Sequence, residues 1–321
     1  MSLLQVQKLC VHIQTEMGRV AIVNDLSFTL NARETLGIVG ESGAGKSLVM
    51  LALMGLLPPQ AFGSGSVCFE GRELLTLSQK AFNHIRGTEI SVIFQDPMTS
   101  LNPYLTLAAQ MTEVLCVHKG LSYREALNLS IESLEQVRIA DAKRRIKEYP
   151  HQFSGGMQQR VMIAMALLCH PKLLIADEPT TALDVTVQAQ ILEVLETLKR
   201  ERNLSVILIT HDMGILARLA DRVLVMYAGS AMEYGLTEDI FYRARHPYTQ
   251  GLLQAVPRLH DPMNEGFKAI PGTAPDLLNE QKGCVFSSRC AYAFPRCFIE
   301  KPNLMPYDEA HQKACHLEII P

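Results

Sequence analysis

The sequence has no apolar run long enough to cross a lipid bilayer and no start of the secretory type. Its longest apolar runs, such as residues 161–169, fall far short of the ~20 residues that a transmembrane helix needs. Residues 1–5 lack the basic start and the long apolar core of a signal peptide. We therefore expect a cytosolic protein whose association with a membrane comes only through partners.

Blocks of basic charge are missing as well. The 321 residues include 30 Lys and Arg against 33 Asp and Glu, a formal net charge of −3, and the basic residues are scattered. A surface that binds nucleic acid normally needs a basic patch, so we expect no nucleic-acid partner. The sequence also lacks internal repeats and low-complexity tracts, and its length suits one large domain with a smaller appendage.

Apolar residues indicate strands that alternate with helices. Residues 3–39 predict short strands, of which 35–39 form the continuous apolar run of a buried strand. Helical spacing covers residues 46–57 and about 105–147, and a second block of strands and helices runs from 173 to 226. This alternation predicts an α/β core with a mostly parallel sheet, interrupted by a helical lobe. Beyond about residue 240 the sequence turns irregular and contains more Pro and Cys.

An eight-residue loop between a predicted strand and a predicted helix matches the pattern G-x-x-x-x-G-K-[ST]. Its residues are Gly40, Glu41, Ser42, Gly43, Ala44, Gly45, Lys46 and Ser47. The glycines let successive backbone N–H groups curl around phosphates, and the following helix presents its positive end to the same anion. The pattern assigns Lys46 to the β- and γ-phosphates of ATP and the Ser47 hydroxyl to Mg²⁺.

Further along the chain an apolar strand at residues 173–176 ends in Asp177 and Glu178. Asp177 could hold the hydration shell of Mg²⁺, and Glu178 could polarise the attacking water as a general base. Such a pair on its own would more often be two solvated acids at a strand end. Together with the phosphate loop it predicts nucleotide hydrolysis.

A third motif, at residues 153–160, opens an apolar helix between the other two. In this order the three motifs resemble the ABC-type ATPases over most of residues 3–235. The resemblance identifies Ser154, Gly155, Gly156 and Gln158 with the signature of that family. A hydroxyl and bare N–H groups at a helix N-terminus form a second phosphate cradle, which in the family completes the ATP site of a facing subunit.

The resemblance also carries roles onto single residues. Gln95 corresponds to the catalytic-site glutamine that contacts Mg²⁺ along with Ser47 and Asp177. His211 corresponds to the histidine that contacts the γ-phosphate, and Asp184 lies in the loop 182–184 that crosses the dimer interface. The family's adenine-stacking aromatic is missing from residues 11–15, where His12 is the candidate instead.

For the fold, the resemblance implies an α/β P-loop NTPase (RecA-like) core with an antiparallel N-terminal β subdomain and an inserted helical subdomain. A small, irregular, Cys-rich C-terminal extension would follow. We expect the ATPase domain at residues 1–240, with its helical subdomain at about 100–165, and the extension at 241–321.

Two further stretches resemble the peptide and nickel importers among the ABC ATPases. The first is residues 95–103, which begin with Gln95, and the second is residues 246–249, with the sequence His-Pro-Tyr-Thr. A single phosphate loop and no long coiled-coil insertion separate this chain from the translation and DNA-repair branches of the family.

The cysteines fall into two groups. Four are scattered and are expected to be small buried hydrophobes: Cys10, Cys68, Cys116 and Cys169. The other four crowd the C-terminal end: Cys284, Cys290, Cys297 and Cys315. In a cytosolic protein such a group indicates a metal site, with spacings too wide for a Cys-x₂-Cys zinc knuckle. Four thiolates suit an iron–sulfur cluster, and the resemblance implies [4Fe-4S]; zinc stays open as the alternative.

The resemblance to oligopeptide importers implies a set of partners. The chain would pair with a second, homologous ATPase subunit as a heterodimer beneath two transmembrane permease subunits, on the cytoplasmic face of the bacterial inner membrane. An extracytoplasmic binding protein would deliver the peptide. Dipeptide or nickel import is the alternative, and a soluble ABC ATPase acting on nucleic acid or ribosomes is a more remote one. An iron–sulfur redox protein is disfavoured because the set of ATPase motifs is complete.

Overall fold

The computed structural model describes residues 2–16, 18–96, 100–181, 183–256, 270–275, 282–308 and 310–319. Its strands are β1 (Ser2–Thr15), β2 (Gly18–Asn31), β3 (Thr35–Val39), β4 (Ala61–Phe69), β5 (Arg72–Glu73), β6 (Ile90–Ile93), β7 (Leu173–Asp177), β8 (Ser205–Thr210), β9 (Arg222–Tyr227), β10 (Ser230–Leu236), β11 (Met305–Pro306) and β12 (Gln312–Lys313).

The α-helices of the described residues are α1 (Lys46–Leu53), α2 (Gln79–Asn83), α3 (Leu107–Lys119), α4 (Tyr123–Gln136), α5 (Ala142–Arg145), α6 (Gly155–Leu167), α7 (Val185–Arg202), α8 (Met213–Leu219), α9 (Thr237–Tyr242), α10 (Pro247–Gln254) and α11 (Pro295–Ile299). Short 3₁₀ turns lie at Pro150–Gln152 and Ser287–Arg289. Within the described ranges, every helix is too short or too polar to cross a bilayer.

The chain divides into two compact units. The first comprises Met1–Asn31, Thr35–Thr76 and Leu208–Pro321, and the second comprises Ala32–Glu34 and Leu77–Ile207. Strand β8 begins in the second unit and ends in the first. The phosphate loop and the C-terminal cysteines therefore belong to the same unit.

An antiparallel sheet forms the N-terminal part of the first unit. Its strand order is β2-β1-β4-β5, and β1 and β2 make a long hairpin of two 14-residue strands. The buried face of the hairpin carries Leu4, Leu9, Leu26 and Leu30, none of which is exposed. Each such leucine stabilises the fold by about 1.5–3 kcal/mol relative to an exposed one.

Strand β3, which leads into the phosphate loop, lies parallel to β9 in the first unit, with Ile38 opposite Leu224. Strand β10 pairs antiparallel with β9, and β12 adds antiparallel to β10. The backbone N–H of Ala314 then donates to the carbonyl of Met232 at 2.8 Å. The C-terminal segment is thus tied by backbone hydrogen bonds to the sheet that supports the phosphate loop.

The second unit contains the parallel pair β6 and β7 and most of the longer helices. Helix α4 begins with a capping box, in which Ser122 accepts from the N–H of Glu125 and the Glu125 side chain accepts from that of Ser122. The apolar side of α6 is buried and includes Val161, Ile163 and Leu167. The helical spacing predicted at about 105–147 corresponds to three helices (α3, α4 and α5).

Several predicted elements are confirmed, and one prediction is wrong. The strand at 35–39 has the predicted bounds, and the block from 173 to 226 contains strands and helices as predicted. The short strands expected at 3–39 are instead the long β1–β2 hairpin followed by β3. Its register shifts, for example between Val6 and Leu9, break the period of two that a strand otherwise shows in the sequence. Strand β4 was not predicted, because its Gly- and Ser-rich sequence has low strand propensity.

Candidate active site

The phosphate loop runs from the end of β3 to the start of α1, as its motif requires. Gly45 stands at the N-cap of α1 with φ +92°, and a Cβ there would lie 3.1 Å from the carbonyl oxygen of Ile22. Only glycine adopts this conformation without strain and fits that gap. The N–H groups of the first turn of α1 therefore start directly from the loop and are available to an anion.

Lys46 places a cation inside this loop. The side chain is buried, and its ammonium donates to the carbonyls of Gly40 at 2.7 Å and Glu41 at 3.0 Å. Ser47, the next residue, is exposed on the first turn of the helix. A buried ammonium beside the N–H groups of a helix N-terminus favours a polyphosphate.

Two residues with no role predicted from the sequence hold Glu41, the second residue of the loop. The guanidinium of Arg289 donates to the Glu41 carboxylate at 2.7 and 3.1 Å, and the hydroxyl of Tyr248 accepts from the Glu41 backbone N–H at 2.9 Å. Tyr248 was visible as part of the His-Pro-Tyr-Thr stretch. No sequence motif indicates a role for Arg289, because its partner Glu41 lies 248 residues away in the chain.

His211 directly follows β8 and is exposed, in the same unit as the phosphate loop. The next residue, Asp212, caps helix α8 by accepting from the N–H of Gly214 at 2.7 Å and more weakly from that of Ile215. The cap fixes where the strand ends and the helix begins. His211 is therefore held in a short, defined turn.

His12 lies on β1, opposite Phe62 of β4. The two rings stack at 5.4 Å between centroids with an angle of 12°, and the guanidinium of Arg19 lies 4.0 Å from the centre of the Phe62 ring. Burial, and secondly the positive charge of Arg19, lower the pKa of His12. The neighbouring strand thus carries an aromatic ring, Phe62, that stacks on the candidate residue His12.

The second unit brings together Gln95 and Glu178. The amide of Gln95 donates to Oε2 of Glu178 at 2.9 Å, and the hydroxyl of Thr181 donates to the same oxygen at 2.9 Å. Glu178 has φ +47°, a conformation that costs a non-glycine residue energy and occurs often at functional sites. The preceding Asp177 is buried at the end of β7. The sequence-predicted acids and glutamine therefore occupy one corner of this unit.

The signature residues surround the N-terminus of α6. Ser154 is the exposed N-cap residue, and its hydroxyl does not bond its own helix. Gly156 packs so closely that a Cβ would lie 2.4 Å from Cγ1 of Val187. The buried amide of Gln158 donates to the carbonyls of Pro150 at 2.9 Å and Phe153 at 3.2 Å, so it braces the loop that carries Ser154.

Asp184 caps helix α7, since its carboxylate accepts from the N–H of Val187 at 2.9 Å. Ala182 in the same predicted loop lies outside the described residues, as do Pro97, Met98 and Thr99 in the stretch after Gln95. Leu183 lies 3.8 Å from the place where a Cβ on Gly155 would be. The loop at 183–184 and the signature are thus neighbours in the second unit.

The four C-terminal cysteines line one narrow pocket, together with His246, Phe286 and His316. All four are free thiols in the structure. Burial raises the pKa of the Cys284 thiol to about 11, and the other three cysteines add to the rise. Burial also raises the pKa of Cys290 and of Cys315. Among the described residues, no group of three or more His, Cys, Asp or Glu side chains is arranged to hold a single metal ion.

Comparison with known proteins agrees with this geometry. A family model described as "ABC transporter" matches residues 23–181, and one described as "Oligopeptide/dipeptide transporter, C-terminal region" matches residues 232–297. An oligopeptide transport ATP-binding protein of Haemophilus influenzae is 55% identical over 98% of this chain and 97% of its own. The chain belongs to the ABC transporter ATP-binding proteins of the oligopeptide and dipeptide family.

Other relatives within this family are similar over nearly the whole chain. The oligopeptide transport ATP-binding protein of Escherichia coli is 54% identical over 98% of this chain and 93% of its own. The dipeptide transport ATP-binding protein of Bacillus subtilis is 49% identical over 98% of this chain and 94% of its own.

Two solved structures of ABC proteins share the fold. The ATP-binding cassette MJ0796, solved as a dimer in a post-hydrolysis state with ADP and Pi, aligns with a TM-score of 0.66 at 25% identity, over 73% of this chain and 98% of that one. CbiO1 of Clostridium perfringens, part of an ABC transporter complex, gives 0.64 at 27% identity, over 75% and 91%. The chain is therefore an ABC transporter ATPase, with the P-loop fold and an antiparallel N-terminal sheet.

The tight packing at the signature leads to a prediction. Gly156→Ala should lower the free energy of unfolding by about 1–3 kcal/mol, because a new Cβ would lie 2.4 Å from Cγ1 of Val187, whose β-branched side chain has few rotamers to move to. Gly155→Ala is the matched control, since its Cβ would meet only Leu183 at an ordinary 3.8 Å. Denaturant unfolding of both variants measures the difference, and equal stabilities would contradict the close contact.

Proposed function

We propose that this chain is the ATP-binding and ATP-hydrolysing subunit that powers oligopeptide import through an ABC transporter. The observation that carries the proposal is the joining of a phosphate loop to a C-terminal region of the oligopeptide/dipeptide transporter type. Two oligopeptide transport ATP-binding proteins that are 54–55% identical to this chain support it. In this proposal the ATPase domain comprises residues 1–240, with a helical subdomain at about 100–165, and the C-terminal extension comprises residues 241–321.

The phosphate loop, Gly40 to Ser47, binds the phosphates of ATP in this proposal. Lys46 contributes the buried cation and the start of α1 contributes N–H groups. The hydroxyl of Ser47, the amide of Gln95 and the carboxylate of Asp177 would hold Mg²⁺. All three offer oxygen ligands, which this cation prefers. When bound, Mg²⁺ neutralises charge that builds up between the β- and γ-phosphates.

Glu178 is the proposed general base. Gln95 and Thr181 donate to one of its carboxylate oxygens, which fixes the orientation of the side chain. A carboxylate held in this way can accept a proton from water that attacks the γ-phosphate. His211 contacts the γ-phosphate and His12 lies near the adenine in the same proposal, with Phe62 stacked on its ring.

The signature acts on the nucleotide of a partner subunit. Ser154 presents an unused, exposed hydroxyl at a helix N-terminus, which suits a phosphate from another chain. The buried side chain of Gln158 supports this loop. In the same proposal, Asp184 at the start of α7 lies in the loop that crosses the dimer interface. The proposed partner is a second, homologous ATPase subunit in a heterodimer.

A groove in the second unit is the proposed docking site of a permease. Its cavity has about 670 Å³ and is lined by Phe94, Val117, Met162 and Met165. Phe94 precedes the catalytic-site Gln95, and the side chains of Val117 and Phe94 are partly exposed. Methionines adapt to a partner's shape, and the apolar lining suits an apolar helical segment. Two permease subunits would thus hold the ATPase at the cytoplasmic face of the inner membrane, and an extracytoplasmic binding protein would supply peptide.

The pocket of four cysteines is the proposed site of a [4Fe-4S] cluster. What supports the proposal is the chemistry of the donors, because all four cysteines line one pocket and thiolates are the ligands of such clusters. Burial keeps the Cys284 thiol protonated at neutral pH unless a cation stabilises the thiolate. Zinc is the alternative occupant, since it also binds four thiolates.

Replacing the proposed base tests the hydrolysis step. Glu178→Gln should bind ATP as the unaltered protein does and hydrolyse it at least about 100-fold more slowly, because the amide cannot accept the proton. Nucleotide binding and phosphate release are measured on the assembled complex. Glu132→Gln on the exposed side of α4 is the control and should keep full activity. Turnover near the unaltered rate in Glu178→Gln would remove Glu178 from this role.

Stimulation of the ATPase by substrate tests the transport proposal. In the complex with two permeases and a binding protein, reconstituted in liposomes, peptides of several residues should raise ATP hydrolysis and accumulate inside. Dipeptide import is the second candidate, supported by the 49% identical dipeptide relative. Stimulation by dipeptides alone would favour it, and stimulation by neither class would contradict both.

Metal analysis tests the cysteine pocket. Protein purified without oxygen should be brown and contain iron and acid-labile sulfide. Replacement of Cys284, Cys290, Cys297 and Cys315 by Ser should remove all three signs, while Cys10→Ser should keep them. A colourless protein with stoichiometric zinc would overturn the iron–sulfur assignment.

A further inference from the structure

Arg289 makes an unusually complete set of contacts for a residue outside the ATPase motifs. Its guanidinium donates to both carboxylate oxygens of Glu41, to the hydroxyl of Tyr227 at 3.1 Å, and to the carbonyls of Pro271 at 2.8 Å and Ile270 at 3.1 Å. The side chain is only 6% exposed. The fork-to-fork geometry with Glu41 is the strongest form of this ion pair.

Glu41 needs such a partner because of where it lies. It is the second residue of a loop that binds a polyphosphate, so an unpaired carboxylate there would repel the ligand. The Glu41 carboxylate is 29% exposed, so solvent screens it only in part. The bond to Arg289 cancels its charge and holds it in one orientation. The Glu41 carboxylate and the hydroxyl of Tyr227 hold the guanidinium in place. The hydrogen bond to Glu41 raises the pKa of Arg289 above its usual value, although burial alone would lower it.

The backbone of Glu41 is held from the same part of the chain. The hydroxyl of Tyr248 accepts from its N–H, and Tyr248 is fully buried among Tyr227 and Phe286. Both anchors of Glu41 thus come from residues 241–321. A cavity of about 320 Å³ is lined jointly by the loop at Glu41–Ala44 and by Ala274 and Pro275.

Arg289 is positioned by the segment that carries the four C-terminal cysteines, residues 284–315, here called the cysteine segment. It ends the 3₁₀ turn Ser287–Arg289, which lies between Cys284 and Cys290. The N–H of Ser287 donates to the carbonyl of Cys284 at 3.0 Å, and the N–H of Arg289 donates to that of Phe286 at 3.0 Å. The place of the guanidinium therefore depends on how this segment is folded.

We propose that Arg289 is a positioning residue for ATP binding, which neutralises and orients Glu41 and so makes the C-terminal segment part of the phosphate loop's support. The inference deepens the nucleotide site of the proposed function and rests on it. In this arrangement the segment sets the affinity for ATP, whereas the catalytic step at Glu178 is left to other residues.

A double-mutant cycle on the full chain tests the proposal. The Kd for ATP is measured for the unaltered protein, Arg289→Met, Glu41→Gln and the double variant, and steady-state hydrolysis in the complex gives kcat and KM. Arg289→Met should raise the Kd about tenfold, because the freed carboxylate repels the phosphates, with KM rising and kcat nearly unchanged. In the Glu41→Gln background the same change should have less than about a threefold effect, since the charge is already gone.

Arg296→Met is the matched control. Arg296 lies in the same segment and also forms an ion pair, with Glu300, but both side chains are more than half exposed. It should leave the Kd for ATP unchanged. Arg289→Lys keeps the charge without the fork and should raise the Kd for ATP by about three- to fivefold, less than Arg289→Met does. It also serves as the test variant if Arg289→Met does not fold.

Two results would overturn the inference. One is a Kd of Arg289→Met, or of Arg289→Lys in its place, within twofold of the unaltered value. The other is an equal loss of affinity in both Glu41 backgrounds, which would show that Arg289 acts through general stability. If the unaltered protein did not bind ATP, the proposed function itself would fail, which is a distinct outcome.

Discussion

Holding a polyphosphate on backbone N–H groups is the constraint on which the first unit depends. The loop after β3 must expose donors that a regular helix would bury, and Lys46 must keep its charge while its side chain is only 7% exposed. The carbonyls of Gly40 and Glu41 meet the ammonium directly, and this offsets part of the cost of burying it. Strand β3 and its parallel neighbour β9 provide the rigid base from which the loop starts.

Two acids of the proposed function are held by different kinds of partner. Glu41, in the phosphate loop of the first unit, is neutralised by Arg289, whereas Glu178, in the second unit, accepts hydrogen bonds from the neutral side chains of Gln95 and Thr181. The difference matches the two tasks. A carboxylate beside the phosphates must have its negative charge neutralised, because it would otherwise repel them. A general base must instead stay able to accept a proton. The positive φ of Glu178 adds strain at the residue where chemistry is proposed.

The cysteine segment has a structural role that does not depend on what it binds. Its last strand pairs with β10, and its 3₁₀ turn carries Arg289 to the phosphate loop. A small, irregular segment has little apolar core of its own. Backbone pairing with the sheet supplies order that hydrophobic packing alone would not.

The sequence by itself determined the chemistry of the motifs. The phosphate loop, Asp177 and Glu178, and the signature were readable because each depends on neighbouring residues and on a local strand or helix. Tertiary structure alone decided that Arg289 neutralises Glu41, that Gln95 orients Glu178, and that Phe62 stacks on His12. These partners lie far apart in the chain. In β1 and β2, register shifts interrupt the alternation of apolar and polar residues, so the sequence pattern did not predict strands of this length. Local motifs are set by local backbone geometry, whereas pairs distant in sequence meet only where the packing of the whole unit places them.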